Sequence, residues 1–416
     1  MSDSTQTIAI VGAGQAAGEL ALSLRQQGHA GPILMIGEES YLPYQRPPLS
    51  KAFLAGNIEI EGLYSKAPTA YDKASVEFIG NTRVERIDRE THRLHLSDGR
   101  EIAYGRLALT TGGRVRRLAL PCGEAAERAS NLHYLRGIDD ALRIRKQFVP
   151  GARLVIVGGG YVGLEVAALA RKKGLQVTVL EAMPRVLARV TAPEVSSFYE
   201  RVHREEGVDI RLETAVEDLQ FDTEGKVSGV RCSSGEVLPA DLLIVGIGLI
   251  PNTELAEQAG LAVDNGILVD EFCQSNDPDI VAAGDCTNHP SQYAGRRLRL
   301  ESVPNALEQA RVAAATLCGK RIPYHSVPWF WSDQYDLKLQ MVGLSQGYDQ
   351  LVLRGDPALR SFMAFFLKEG KLIAVDSISR PQEFMVAKRL VAMDSHFDSA
   401  VLADEANPLK LLLETA

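Results

Sequence analysis

The sequence predicts an α/β protein with two parallel-sheet domains of one design, one inserted in the other, and a small α+β domain after them. Two observations carry this. A short apolar, β-branched run twice meets a glycine-rich turn that opens a helix, and each helix leads to a second strand ending in an acid. Further apolar strands ending in glycine lie on both sides of the second copy. The strand–turn–helix–strand unit is Rossmann-like and suits a dinucleotide.

In the first copy, Thr7-Ile8-Ala9-Ile10-Val11 leads into Gly12-Ala13-Gly14-Gln15-Ala16-Ala17-Gly18 and a helix through Arg25. Gly12 permits the sharp turn, Gly14 lets the backbone approach a pyrophosphate, and the small Ala17 lets the helix pack on the strand. The pyrophosphate belongs at the helix N-terminus, where unpaired N–H groups and the helix dipole favour an anion. Ile33-Leu34-Met35-Ile36 reads as the next strand, and Glu38 follows it where a carboxylate accepts hydrogen bonds from a ribose.

In the second copy, Arg153–Val157 leads into Gly158-Gly159-Gly160-Tyr161-Val162-Gly163, a helix, and Val177-Thr178-Val179-Leu180-Glu181. One such turn is weak evidence, because glycine turns also follow strands for structural reasons alone. Two in the same context point together to two dinucleotides. Glu181 would bond both ribose hydroxyls and repel a 2′-phosphate, which favours NADH. Arg185 and Arg189 follow closely and leave some use of NADPH open.

Composition narrows the class. A chain of 416 residues suits two or three domains, and 45% apolar with 24% charged residues is a globular profile. No apolar run nears the roughly 18 to 20 residues that span a bilayer, so no membrane role is expected. The start MSDSTQTIAIVGAG has no basic stretch and runs straight into a strand. It therefore reads as no signal peptide, with the cytoplasm as the expected location. A net charge of −8 without blocks of like charge argues against nucleic-acid binding. Cys122, Cys232, Cys273, Cys286 and Cys318 form no CxxC pair, and the eight histidines show no metal-ligand spacing. No metal is expected.

The remaining landmarks fall in a telling order. Leu107-Ala108-Leu109-Thr110-Thr111-Gly112 and Leu242–Val245 with Gly246-Ile247-Gly248 are apolar strands meeting small residues. Ile280-Val281-Ala282-Ala283-Gly284-Asp285 is a strand ending in Gly-Asp. This order resembles the glutathione-reductase-like superfamily, in which the first fold is interrupted by the second. It implies an FAD domain over 1–115 and 248–325, an NADH domain over 116–247, and a small α+β domain over 326–416. That last region shows two strand-like runs, Leu339–Leu344 and Phe362–Leu367, and a helix at Pro381–Ala392.

Three longer segments sharpen the resemblance: Pro43-Tyr44-Gln45-Arg46-Pro47-Pro48-Leu49-Ser50-Lys51, Glu301-Ser302-Val303-Pro304-Asn305-Ala306-Leu307-Glu308-Gln309-Ala310 and Pro328-Trp329-Phe330-Trp331-Ser332-Asp333-Gln334-Tyr335. They are similar to FAD-dependent ferredoxin reductases of oxygenase systems. Thr110 departs from the alanine usual there. Members accept hydride from NADH and pass single electrons to a 2Fe–2S ferredoxin, which feeds a haem-thiolate monooxygenase or a ring-hydroxylating dioxygenase. The flavin does that chemistry, and the protein supplies orientation and electrostatics.

Several residue roles follow from the resemblance alone. Lys51 would sit by the flavin N5 edge, paired with Glu165. Asp285 would contact the ribityl and pyrophosphate region, Arg136 an FAD phosphate, and Val303 and Trp331 the flavin. Gly248 and Arg189 complete the nucleotide-binding set. A surface lysine with an ordinary helix glutamate is the bland alternative for the first pair, and core packing for a tryptophan. Trp329 and Trp331, the only two tryptophans, are expected on opposite faces of a strand. Arg311, Lys388 and Arg389 are the expected ferredoxin contacts, on a chain expected to be monomeric. Two rivals remain. An NADH oxidase or peroxidase needs a redox cysteine near 40–50, where this chain has Tyr44 and Ser50. An apoptosis-inducing-factor-like flavoprotein carries basic surface that a charge of −8 does not supply.

Overall fold

The structure, a computed structural model, describes residues 5–415; residues 1–4 of the opening stretch lie outside it. The chain divides into two compact units, one of 1–45, 60–114 and 249–328, the other of 46–59, 115–248 and 329–416. The second unit thus takes the short segment that carries Ser50 and Lys51.

The first unit holds a five-stranded parallel sheet in the order Ile280–Ala282, Arg106–Leu109, Ile8–Val11, Ile33–Ile36, Val76–Ile79. Ile8–Val11 and Ile33–Ile36 read as unbroken apolar runs because both faces of the sheet are covered there, whereas the edge strand Val76–Ile79 carries the exposed Glu77. Ile8 and Ile10 point into one core with the helix Gln15–Gln26, while Ala9 and Val11 point into the other. That helix lies against the helix Val303–Leu317 through Ala17, Ala21, Ala310, Ala313 and Ala314. Side chains this small let two helix backbones approach closely.

The second unit contains a sheet of the same kind, ordered Asp209–Arg211, Gln176–Leu180, Arg153–Val157, Leu242–Val245, Leu132–Tyr134. The helix Tyr161–Lys172 packs on it with Leu164, Val166, Ala167 and Ala170 buried. The unit's last part is a five-stranded antiparallel sheet, ordered Trp329–Gln334, Leu337–Gly343, Lys371–Ile378, Ser361–Lys368, Gln350–Asp356. The helix Pro381–Ala392 covers it with Phe384, Ala387, Leu390 and Val391.

Two of these five strands and the helix fall where the sequence places them. The other three are harder to read. Lys371–Ile378 carries the buried Asp376, Gln350–Asp356 is an edge strand that ends in Arg-Gly-Asp, and Trp329–Gln334 ends in Ser-Asp-Gln. The expectation for the two tryptophans needs correcting. Residues two apart in a strand share a face, and the Trp329 and Trp331 rings stack with centroids 5.4 Å apart.

Candidate dinucleotide sites

The two glycine turns are the same object built twice. Gly12 N donates to Ile36 O and Gly158 N to Leu180 O, each at 2.8 Å. Both glycines hold a positive φ, +106° and +109°, which a side chain would strain. A Cβ on Gly12 would meet Thr110 O at 2.3 Å, and one on Gly158 would meet Gly246 O at 2.4 Å. Ala17 is fully buried, and the matching Gly163 passes so near Gly158 that a Cβ would lie 2.1 Å from its carbonyl oxygen.

The middle glycines behave differently. Gly14 and Gly160 have ordinary extended backbones, φ −86° and −83°, and a Cβ on either meets nothing within 4 Å. The protein fold itself does not need glycine there. Each caps a helix with no side-chain capping bond and no acid in the first turn, so the leading N–H groups face open space. That is a cradle for a pyrophosphate, and it fits FAD and NAD(H) equally.

The strand-end acids differ. Glu38 is 75% exposed, with Arg83 3.8 Å away. Glu181 is clipped from two sides: Oε2 accepts from Gly159 N at 2.7 Å and Oε1 from Met183 N at 2.8 Å. This aims the carboxylate across the glycine turn. Arg185 is committed to its own loop, donating to Thr191 O at 2.8 Å and Ala188 O at 2.9 Å. Arg189 is exposed, its guanidinium on the side to which a Gly248 Cβ would point, 3.8 Å away.

In the first unit, Gly284 turns the chain with φ +91° just before Asp285. The fully buried Gln309 holds this turn, its Oε1 accepting from Gly284 N at 2.8 Å and Thr287 Oγ1 at 2.9 Å. Gln309 belongs to the Glu301–Ala310 segment, and nothing in its sequence context marks it for this role. Val303 opens the helix whose cap, Ser302, accepts from Asn305 N. The threonine at 110 has a use: its hydroxyl donates to Val11 O at 3.1 Å, tying two strand ends beneath Gly12. Arg311 is ion-paired with Glu19 at 2.6 Å.

In the second unit, Lys51 Nζ lies 2.6 Å from Glu165 Oε2, with the glutamate side chain only 4% exposed. Ser50 Oγ donates to the same oxygen, and Ser332 Oγ donates to Oε1 at 2.6 Å. Both oxygens of the buried carboxylate are therefore met by donors. The backbone of Arg136 is fixed by Arg46, which donates to its carbonyl at 2.6 Å, and by Asp140, which accepts from its N–H at 3.0 Å. Lys388 lies over the Trp329 ring, 4.0 Å from the centroid, and Arg389 is exposed. All five cysteines are free, and the described residues include no cluster of three potential metal ligands. No helix among them is long and apolar enough to cross a membrane.

One buried acid stands outside the sequence reading. Asp376 accepts from Thr191 Oγ1, and burial pushes its carboxyl up to about 7. The folded value is raised, so its contribution to stability is present below about pH 4 and lost as pH rises through about 7. Asp376→Asn should therefore gain on wild type by roughly 2–4 kcal/mol between those limits. Urea unfolding at about pH 5 and pH 8 tests this. An equal difference at both pH values would refute it.

Residues 6–310 match the family model described as pyridine nucleotide-disulphide oxidoreductase, and residues 329–413 match the model described as reductase C-terminal. The chain belongs to the pyridine nucleotide-disulphide oxidoreductase family. It is 48% identical over 415 residues to putidaredoxin reductase of Pseudomonas putida, covering 100% of this chain and 98% of that protein. It is 42% identical over 407 residues to rhodocoxin reductase of Rhodococcus erythropolis, covering 98% and 94%. The crystal structure of the covalent putidaredoxin reductase–putidaredoxin complex superposes with a TM-score of 0.96 at 48% identity, covering 99% of each chain. This pyridine nucleotide-disulphide oxidoreductase is thus an oxidoreductase whose cofactors are FAD and NAD(H).

Proposed function

We propose that the chain is an NADH-dependent ferredoxin reductase, receiving hydride on FAD and passing single electrons to a 2Fe–2S ferredoxin. That ferredoxin would supply a haem-thiolate monooxygenase or a ring-hydroxylating dioxygenase. One observation carries this choice within the family. Where a disulphide-exchanging member needs a cysteine pair, residues 43–51 contain none and present Ser50 and Lys51, both bound to Glu165. Electrons that cannot leave through a dithiol suit a one-electron acceptor.

In this reading the first turn, with Gly12, Gly14, Ala17 and Glu38, holds FAD over a domain of 1–115 and 248–325. Arg136, Asp285, Val303 and Trp331 contribute to it. The second turn, with Gly158, Gly160, Gly163, Glu181, Arg189 and Gly248, holds NADH over 116–247. FAD supplies the two-to-one electron conversion when bound. Lys51 presents its ammonium group at the reacting edge, and Glu165 fixes that group in place. The protein acts as a cytoplasmic monomer.

Glu181 should decide the nicotinamide cofactor. Glu181→Ala is expected to erode the preference for NADH over NADPH in kcat/KM by roughly ten- to hundredfold, the value of a charged hydrogen bond. A wild-type protein that already prefers NADPH would sink the assignment.

The direct test of function is NADH-driven reduction of candidate 2Fe–2S ferredoxins, against oxygen as sole acceptor. Turnover confined to oxygen would favour an oxidase. Docking is assigned to Arg311, Lys388 and Arg389, since two acidic proteins must meet through local basic groups. Arg311→Gln with Lys388→Gln should slow ferredoxin reduction by about tenfold at low salt and flatten its salt dependence. Reduction of a small neutral acceptor should be unchanged. Equal loss in both reactions would overturn the docking assignment.

A further inference from the structure

Glu165 Oε1 is the end of a buried hydrogen-bonded chain that leads away from Lys51. Ser332 lies 2.6 Å from it, Gln334 Nε2 lies 3.3 Å from Ser332 Oγ, and His203 Nε2 lies 2.9 Å from Gln334 Oε1. Tyr335 O–H closes the series, 3.0 Å from His203 Nδ1. Ser332 and His203 are 0% exposed and Gln334 is 1% exposed, so each group depends on its neighbours in the chain for partners. Tyr335 is half-buried and lies beside Lys172.

The direction of every link is set at one end. An ion-paired carboxylate only accepts, so Ser332 must donate to it. The Ser332 oxygen then accepts from the Gln334 amide, whose carbonyl accepts from His203 Nε2–H. That leaves His203 Nδ1 as the acceptor for the Tyr335 hydroxyl. Burial pushes His203 down to about 4 and the Tyr335 phenol up, so the ring is neutral with one N–H and the phenol keeps its proton. Aligned donors polarise one another.

We infer that Tyr335, His203, Gln334 and Ser332 form a one-way donor chain that positions the Glu165 carboxylate for Lys51. They are positioning residues, since none but Ser332 touches the pair. The inference rests on the proposed role of Lys51 and Glu165, but its decisive test does not.

That test is the tautomer of His203, read by ¹⁵N NMR of histidine-labelled protein and assigned by its loss in His203→Gln. In wild type the proton should be on Nε2. In Glu165→Gln the single amide oxygen is claimed by Lys51 and Ser50, so the amide N–H₂ faces Ser332. Each link then reverses in turn, and the His203 proton should move to Nδ1. A tautomer that stays the same in the two proteins overturns the chain. A second measurement reads its use. Tyr335→Phe should slow flavin reduction by NADH roughly two- to threefold with KM unchanged, the low end of coupling within one network. It should do nothing further in Glu165→Gln. An equal effect in both backgrounds also overturns the inference. If Glu165→Gln leaves flavin reduction untouched, the proposed role of the pair fails, while the tautomer still judges the chain.

Discussion

Gly14→Val is expected to purify as a folded, colourless protein. The position has φ −86° and ψ −167°, which valine adopts readily, and its Cβ would meet no protein atom within 4 Å. The cofactor-free chain should therefore lose no more than about 0.5 kcal/mol, as at an unconstrained surface site. The same side chain fills the space above the uncapped N-terminus of Gln15–Gln26, where a pyrophosphate would sit. Forcing a branched side chain into such a contact costs roughly 3 kcal/mol or more, upward of a hundredfold in affinity. Gly160→Val is its counterpart, with the same open Cβ direction and the same backbone. It should stay yellow yet resist reduction by NADH, while dithionite still bleaches it. The pair of outcomes assigns each turn to one dinucleotide. Full flavin occupancy in Gly14→Val would mean that the first turn holds something else. A colourless Gly160→Val would mean that the two turns are exchanged.

The glycine turns were legible because both strand and turn are local. Glycine is required at positions 12 and 158 by a positive φ, and the apolar runs before them are covered on both faces. The Lys51–Glu165 contact was legible only through resemblance, since 114 residues separate the partners and no spacing rule reaches that far. Gln309, Ser332 and His203 escaped for a related reason. Each is a polar side chain buried in a helix or strand, where sequence suggests exposure and only the tertiary partner explains burial. The tail strands were read in part because Asp376, Ser332 and Gln334 interrupt the apolar pattern that marks a buried strand. The placement of Trp329 and Trp331 was a geometric error: the strand exists, and its period of two puts both rings on one side.

Removing the Lys51–Glu165 pair should separate stability from activity. In Glu165→Ala, Lys51 Nζ keeps only a 3.3 Å contact to Pro47 O, and Ser332 loses its acceptor. Breaking one side of a buried pair costs about 3–5 kcal/mol, because the remaining charge is stranded. Lys51→Ala is milder, since Glu165 keeps Ser50 and Ser332 as donors and the lysine side chain is 19% exposed. The informative protein is Lys51→Met with Glu165→Leu. Replacing both partners by apolar groups of similar volume is often neutral, so most of the loss should return. What remains is the Ser332 O–H, left without an acceptor, at about 1–2 kcal/mol, since Ser50 can still donate to Pro47 O at 3.3 Å. Flavin reduction by NADH should stay at least tenfold below wild type in all three variants, because a charge placed for the reaction is absent. Urea unfolding reads the first quantity and stopped-flow absorbance of the flavin reads the second. If the double variant recovered both stability and the rate of flavin reduction, the ion pair would be only a structural tie. A double variant no more stable than Glu165→Ala would show that the two sites do not act as one pair, and the geometry at 2.6 Å would then have no energetic consequence.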